Sequence, residues 1–238
     1  MTTALNTLVP VPGFEQTSFA YVNGRLVWAE IGAMIEHPRN WHYPWNPLPK
    51  QYKKSRLKQG AKLAWEIIQS NPTPGLLAWL AGKSLSFSME NAVLRFDAVL
   101  IALKAKDLIN FEKSATRVIG LGNGLTPSGD DFLGGIFFAL HYAPIKSWST
   151  HVEGLHARIK KFSVTGTNSI SAALLNDLMC GRSYRVLHDL LSSLESCNVD
   201  EIDSSLKKLL KIGASSGADM LAGVLLALNI YKPSLNPS

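Results

Sequence analysis

The sequence is poor in the residues that mark many small-protein chemistries. Only two of its 238 residues are cysteine, Cys180 and Cys197, and neither stands in a CxxC or Cys/His ligand spacing. Both read as ordinary reduced thiols, which argues against a disulfide scaffold. The six histidines form no HExxH, and His151 and His156 miss the same-face helical spacing by one residue, so no zinc site is expected. The longest apolar runs, near residues 132–144 and 220–231, fall well short of the roughly 20 residues that span a bilayer. The opening MTTALNTLVPVPGF has no basic leader ahead of an apolar stretch, so the expected location is the cytoplasm and no membrane partner is expected.

Hydrophobic residues make up 46% of the chain and charged residues 18%, the balance of a globular protein with a substantial core. The formal net charge of +6 permits an anionic partner without choosing among a small acid, a nucleotide and RNA. Lys50, Lys53, Lys54, Arg56, Lys58 and Lys62 cluster with no acid between them. No aromatic stacking motif is interleaved with them, so they read as a solvated helix face, and no nucleic-acid partner is expected.

Two regions differ in pattern. In SFAYVNGRLVWAEI, aromatic and β-branched residues alternate around Asn23-Gly24, which predicts two paired strands over residues 18–31. HPRNWHYPWNPLPK then reads as an extended connection, with Trp41, Tyr43 and Trp45 packing the strands onto the helical body. From residue 54 the period is helical. Helices are expected near 54–70, 75–82, 87–108, 130–142, 149–162, 168–180, 184–194, 200–211 and 217–230. The expected class is α+β: a β-rich segment over 1–50, and a mainly helical domain over 51–238 built around two buried central helices.

Those two helices come from a repeat. SGDDFLGGIFFALHY, residues 128–142, and SGADMLAGVLLALNI, residues 216–230, are identical at seven of fifteen positions. Each is a helix start followed by a helix apolar on every side, which has to be buried all round. Glycine inside a helix costs roughly 1 kcal/mol relative to alanine, so Gly134, Gly135 and Gly223 point to close backbone approach between the two helices. If the helices pack together, their starts meet at one site. Capping explains part of the motif. Ser128 with Asp131, and Ser216 with Asp219, fit a capping box, or else Thr126 is the cap and Pro127 the first helical residue. Capping does not call for the GLGNG before the first start, nor for Asp130, whose counterpart is Ala218.

The stretch GLGNGLTPSGDDFLGG, residues 120–135, holds six of the chain's 18 glycines. It is neither dinucleotide nor P-loop chemistry: GxGxxG meets Leu125, and GxxxxGK[ST] meets Asp130 where lysine is required. Two readings survive the electrostatics. In one, Asp130, Asp131 and Asp219 ligate a hard divalent cation such as Mg²⁺. In the other, the carboxylates accept hydrogen bonds from an amide or carbamoyl NH₂, while loop N–H groups hold an oxyanion or phosphate beside it. Thr165, Thr167, Asn168, Ser169 and Ser171 precede a further helix, where they either bind an anion or cap that helix.

GLGNGLTPSGDDFLGG, TNSISAALL and GASSGADMLAGVLLAL together resemble a bacterial family of unknown-function domains, sometimes labelled carboxylases. Its members include a subunit of the oxamate carbamoyltransferase encoded beside allantoin-degradation genes. The resemblance covers roughly residues 115–231. It implies carbamoyl transfer between carbamoyl phosphate and a small amide acid such as oxamate. Apart from the resemblance, no cofactor is expected other than a possible Mg²⁺. The resemblance also implies work inside a complex with other subunits, or as a homo-oligomer. On that reading Asp130 and Asp131 are catalytic and orient the NH₂ group. Gly122, Asn123, Gly124 and Gly129 supply N–H donors, Thr126 and Ser128 hold the phosphate or shape the loop, and Thr167, Asn168, Ser169, Ser216 and Asp219 complete the binding site. No nucleophile has an adjacent base, so transfer is expected to be direct. The rival readings are a Mg²⁺-dependent hydrolase of a phosphorylated or ribosylated substrate, and a non-catalytic assembly subunit.

Overall fold

A computed structural model of the chain describes residues 52–71, 74–85 and 90–230, with the backbone of Phe19–Val22, Arg25–Trp28 and Ala33–Ile35. The chain divides into two units, Met1–Lys50 and Gln51–Ser238. In the first, β1 (Phe19–Val22), β2 (Arg25–Trp28) and β3 (Ala33–Ile35) pair antiparallel in that order, with Phe19 opposite Trp28 and Leu26 opposite Ile35.

The α+β class is corrected. Among the described residues the second unit contains helices and turns and no strand. The β-rich part expected over 1–50 comes down, among the described residues, to strands of four, four and three residues, which do not carry a fold class. Trp41, Tyr43 and Trp45 lie outside the described residues. The part of the molecule that can be read for function is therefore all-α.

The second unit runs α1 (Lys54–Gln69), α2 (Gly75–Leu80), α3 (Val93–Ala105), α4 (Leu108–Thr116), α5 (Ser128–Tyr142), α6 (Val152–Gly166), α7 (Ser169–Met179), α8 (Arg185–Ser196), α9 (Val199–Leu209) and α10 (Ser216–Ala227). One helix predicted near 87–108 ends instead at Ala105, because Lys106 turns left-handed at φ 55°. Asp107 then caps α4 by accepting from the Asn110 N–H at 3.0 Å. That acid three residues before an asparagine was the available sign of a second helix start.

The outer helices α8 and α9 are amphipathic in the usual way. Leu187, Leu190, Leu191 and Leu194 share the buried stripe of α8. Asn198 caps α9, with acids in its first turn and Lys207 and Lys208 in its last, matching the helix dipole at both ends. Part of the basic cluster also has structural work. Arg56 donates to the Glu195 and Ser196 carbonyls at the end of α8, at 2.7 and 2.8 Å, and Lys54 donates to the Pro144 carbonyl.

In α5 every residue from Gly129 to Ala139 is buried, and in α10 every residue from Gly217 to Ala227. The two helices pack directly on each other, α5 also against α7 and α10 also against α2. Their crossing is reciprocal. A Cβ on Gly135 would lie 2.0 Å from the Met220 carbonyl oxygen, and one on Gly223 would lie 2.0 Å from the Phe132 carbonyl oxygen. Phe132 matches Met220 in the repeat, and Gly135 matches Gly223, so the crossing has an approximate two-fold relation. The glycines give up helix propensity for this backbone contact. Edge-on stacking of Trp79 and Phe96 on Phe132, at 5.8 and 5.5 Å, seals the α5 side of the core.

Candidate functional site

Crossing through their middles, the two helices bring their starts together, and Thr126 Oγ1 lies 2.9 Å from Ser216 Oγ across the junction. Neither start is capped as expected. Pro127 occupies the N-cap of α5, Ser215 occupies that of α10, and neither makes a side-chain cap bond. The capping boxes of Ser128 with Asp131 and Ser216 with Asp219 are therefore absent, as is the alternative with Pro127 as first helical residue. The acids turn instead toward groups on other elements.

Asp130 is 2% exposed and fully engaged. Its Oδ1 accepts from the Gly120 N–H at 2.8 Å, and its Oδ2 accepts from the Thr167 hydroxyl at 2.5 Å and the Ser171 hydroxyl at 2.7 Å. One carboxylate thus fastens the entry to the glycine loop and the start of α7 to the first turn of α5.

Asp219, 0% exposed, accepts from the Leu76 N–H in the first turn of α2 at 2.6 Å through Oδ1. Burial pushes its carboxyl up from the ordinary value, against the Leu76 N–H and the hydroxyls of Ser128 and Ser215. Asp131 is 7% exposed, and burial pushes it up to about 7, opposed by the Ser216 and Thr126 hydroxyls and reinforced by the charges of Asp219 and Asp130. The arrangement is crossed: Ser216, at the start of α10, serves the acid of α5, and Ser128, at the start of α5, serves the acid of α10. Among the described residues, Asp131 Oδ2 and Asp219 Oδ2 are buried and accept no hydrogen bond. A buried oxygen left without a donor costs about 1–3 kcal/mol, so each is an acceptor whose partner the described residues do not supply.

The loop beside them leaves donors free. Gly120, Gly122 and Gly124 take φ of 75°, 117° and 96°, a backbone path that side chains rarely follow. The N–H groups of Gly122, Asn123, Gly124, Thr126 and Ser128 donate to no acceptor among the described residues. Asn123, Gly124 and Leu125 are exposed, while Thr126, Ser128 and Ser216 are half-buried. The junction therefore offers N–H donors on its outer side and two bare acceptors within.

The residues singled out from the sequence fall into three groups. Gly122, Asn123, Gly124, Thr126, Ser128, Asp131, Ser216 and Asp219 gather at the junction. Gly129 is buried in the first turn of α5, and its N–H is spent on the Leu121 carbonyl at 2.8 Å. The third stretch braces the loop from behind: Thr167 holds Asp130, and Asn168 caps α7 through the Ser171 N–H while donating to the Leu125 carbonyl at 2.9 Å. Ser169 is exposed at the first position of α7. Three contributors were missed. The start of α2, Gly75 and Leu76, stands against Asp219 although the hydrogen-bonded pair is 143 residues apart in sequence. Ser215 helps stabilise Asp219. Tyr184 at the start of α8 has its phenol pushed up by burial and then by the charge of Asp131. Ser215 stands within GASSGADMLAGVLLAL, one place before Ser216, where the motif itself was the available signal; Gly75, Leu76 and Tyr184 sit in no motif, and only folding brings them to the junction.

For a divalent cation, Asp130 is already occupied, which leaves one free oxygen each on Asp131 and Asp219. Among the described residues no group of three or more His, Cys, Asp or Glu side chains is placed to hold a metal ion. No helix of the described residues is long and apolar enough to cross a membrane.

No solved structure matches the chain. A family model does match, over residues 118–228, from just before the glycine loop through the end of α10. It is described as the oxamate carbamoyltransferase subunit AllH, so this region of the chain is similar to the family that its motifs resemble.

Proposed function

We propose that the chain acts as a carbamoyltransferase subunit and that the α5/α10 junction is its site for carbamoyl phosphate and a small amide acid such as oxamate. The observation that carries the reading is the pairing of two buried, donorless carboxyl oxygens with a loop of unspent N–H groups. Such a site suits a ligand that is anionic at one end and rich in N–H at the other. The loop N–H groups from Gly122 to Ser128 hold the phosphate or carboxylate, and the helix-start dipoles favour it. The acids face the amide end.

In the transfer, the amide nitrogen bonds to the carbamoyl carbon and the carbon–oxygen bond to phosphate breaks, the phosphate leaving with its electron pair. The nitrogen must then release one proton. Asp131, pushed up to about 7, has an ionised fraction at neutral pH and is matched to receive it. Asp130, with both oxygens engaged, holds the loop in shape rather than meeting the ligand. The family's description as a subunit supports assembly with other chains.

The test is a thermal-shift titration of the purified full chain with carbamoyl phosphate, oxamate and Mg²⁺ separately. Saturation at 100 times Kd stabilises a protein by about 2.7 kcal/mol, so a clear rise in Tm with carbamoyl phosphate or oxamate alone is expected. Stabilisation by Mg²⁺ alone supports the hydrolase reading instead. No shift with any of the three sinks the small-molecule site and leaves the assembly role.

A further inference from the structure

The reciprocal crossing of α5 and α10 sets the two shared acids in equivalent positions. Each lies beside a serine hydroxyl from the other helix's start, and each keeps one buried oxygen without a donor. A primary amide or carbamoyl nitrogen carries two N–H bonds in one plane. Two acceptors carried on adjoining helix starts, near enough for the charge of Asp219 to act on Asp131, match that group, whereas a carboxylate ligand, with lone pairs where those hydrogens stand, meets repulsion. Resting on the function proposed above, we propose that Asp131 Oδ2 and Asp219 Oδ2 together form a cradle for a single –NH₂ group, one oxygen per N–H. The junction then selects carboxamides and carbamoyl compounds over the corresponding diacids. Neither acid does this alone, and Asp130 takes no part.

The same geometry has a consequence for protons. The groups facing Asp131 are Asp130 and Asp219, the phenol of Tyr184, and the hydroxyls of Thr126 and Ser216. Among the described residues no cation joins them. Without ligand, burial favours the protonated form of Asp131. An arriving –NH₂ needs an acceptor and favours the ionised form, so binding near neutral pH expels part of a proton, and affinity weakens as pH falls below about 7.

Asp219 gives the decisive variant. Its Oδ1 is held by the Leu76 N–H. In Asp219→Asn that N–H pins the amide oxygen, leaving the new NH₂ where the free oxygen stood. An acceptor becomes a donor without change of shape. The experiment is calorimetric titration of the full chain with oxamate, oxalate and carbamoyl phosphate at pH 6, 7 and 8, in two buffers of different ionisation enthalpy.

The wild type should bind oxamate at least tenfold more tightly than oxalate and release a fraction of a proton at pH 7. Asp219→Asn should lose tenfold or more toward oxamate and narrow or reverse the preference over oxalate. Wild type binding both acids equally, proton release of zero, or Asp219→Asn keeping the wild-type preference would each overturn the cradle while leaving a small-anion site standing. If none of the three ligands binds at any pH, the proposed function falls and takes the cradle with it. The wild-type comparison of oxamate with oxalate does not depend on how well any variant folds.

Discussion

The starts of α5 and α10 share a motif and differ in one acid, and that difference separates the tasks of the site. The shared acids, Asp131 and Asp219, are buried and each retains an oxygen without a donor. The unshared acid, Asp130, retains none, and its counterpart Ala218 is 2% exposed with nothing to anchor. Residues common to both repeats thus build the crossing and the acceptors. The residue unique to one repeat builds the glycine loop around them. Two adjacent aspartates that look interchangeable in sequence have opposite duties once their partners are named.

The comparison breaks most severely at the crossing itself. Gly135→Leu or Gly223→Leu drives a side chain into a backbone carbonyl that has nowhere to go, since a Cβ alone would sit 2.0 Å from it. A loss above about 4 kcal/mol is expected, enough to leave little folded protein. Gly134 is the control within the same helix. Its added Cβ would meet the end of the Leu178 side chain, which can swing aside, so Gly134→Ala should cost no more than about 1 kcal/mol. Circular-dichroism melts of the two variants decide the matter, and equal Tm values would mean that the backbones do not touch.

The next effect is one of pH. Asp131 is raised to about 7 in the folded chain from an ordinary value of 3.8. Between those two values the folded state holds a proton that the unfolded state has released, so stability is full below about pH 4 and declines as pH rises toward 7. At about 1.4 kcal/mol per unit, a shift of about three units amounts to roughly 4 kcal/mol as an upper figure. Asp219, raised for the same reason, adds a slope of the same sign. Urea denaturation at pH 5 and pH 8 should show the ligand-free wild type losing more stability, or gaining less, toward the higher pH than Asp131→Asn, which lacks the titrating carboxyl. Burial lowers the pKa values of His141, His156 and His188, which favours the higher pH in both proteins. The difference between wild type and Asp131→Asn therefore isolates the acid, and identical pH slopes in the two would show that burial does not hold the proton.

Asp130→Ala makes the start of α5 resemble that of α10 at this position, and should be costly because it strands one N–H and two hydroxyls. A loss of about 2–4 kcal/mol is expected. Faster amide exchange at Gly120 should accompany it, since that N–H loses its acceptor. A change under about 0.5 kcal/mol with unaltered exchange at Gly120 would remove Asp130 from the role of anchor.

The same residues show how much of the fold and of the site was legible in the sequence. The repeat predicted two buried helices meeting at their starts, because an all-apolar helix has only the interior to go to and its glycines need a close neighbour. The class was misjudged because local alternation around Asn23-Gly24, which reports no more than short paired strands, was given the weight of a fold class. Asp130 was paired with Asp131 by adjacency alone. Their separation depends on Thr167 and Ser171 arriving from α7, and on Leu76 arriving from α2 to hold Asp219. Neither event leaves a local trace, since both are fixed by which helices pack against α5 and α10. Periodicity reports that a face is buried, not what it meets.

The smallest effect tests whether the loop is held from behind as well as from below. Asn168 performs two operations, accepting from the Ser171 N–H at 3.0 Å to cap α7 and donating to the Leu125 carbonyl at 2.9 Å. Asn168→Ala removes both and should cost about 1 kcal/mol, the usual worth of an N-cap. Asn168→Ser keeps a capping oxygen but is too short to reach Leu125, so it should lose only a few tenths of a kcal/mol in stability. The binding readout should order the variants differently. If the tether to Leu125 sets the spacing of the loop N–H groups, Asn168→Ser should weaken carbamoyl phosphate binding as much as Asn168→Ala does. Affinity that instead tracks stability would assign Asn168 to α7 alone, and would leave the loop braced by Asp130, by the Thr126–Ser216 hydroxyl pair and by the Gly129 N–H on the Leu121 carbonyl.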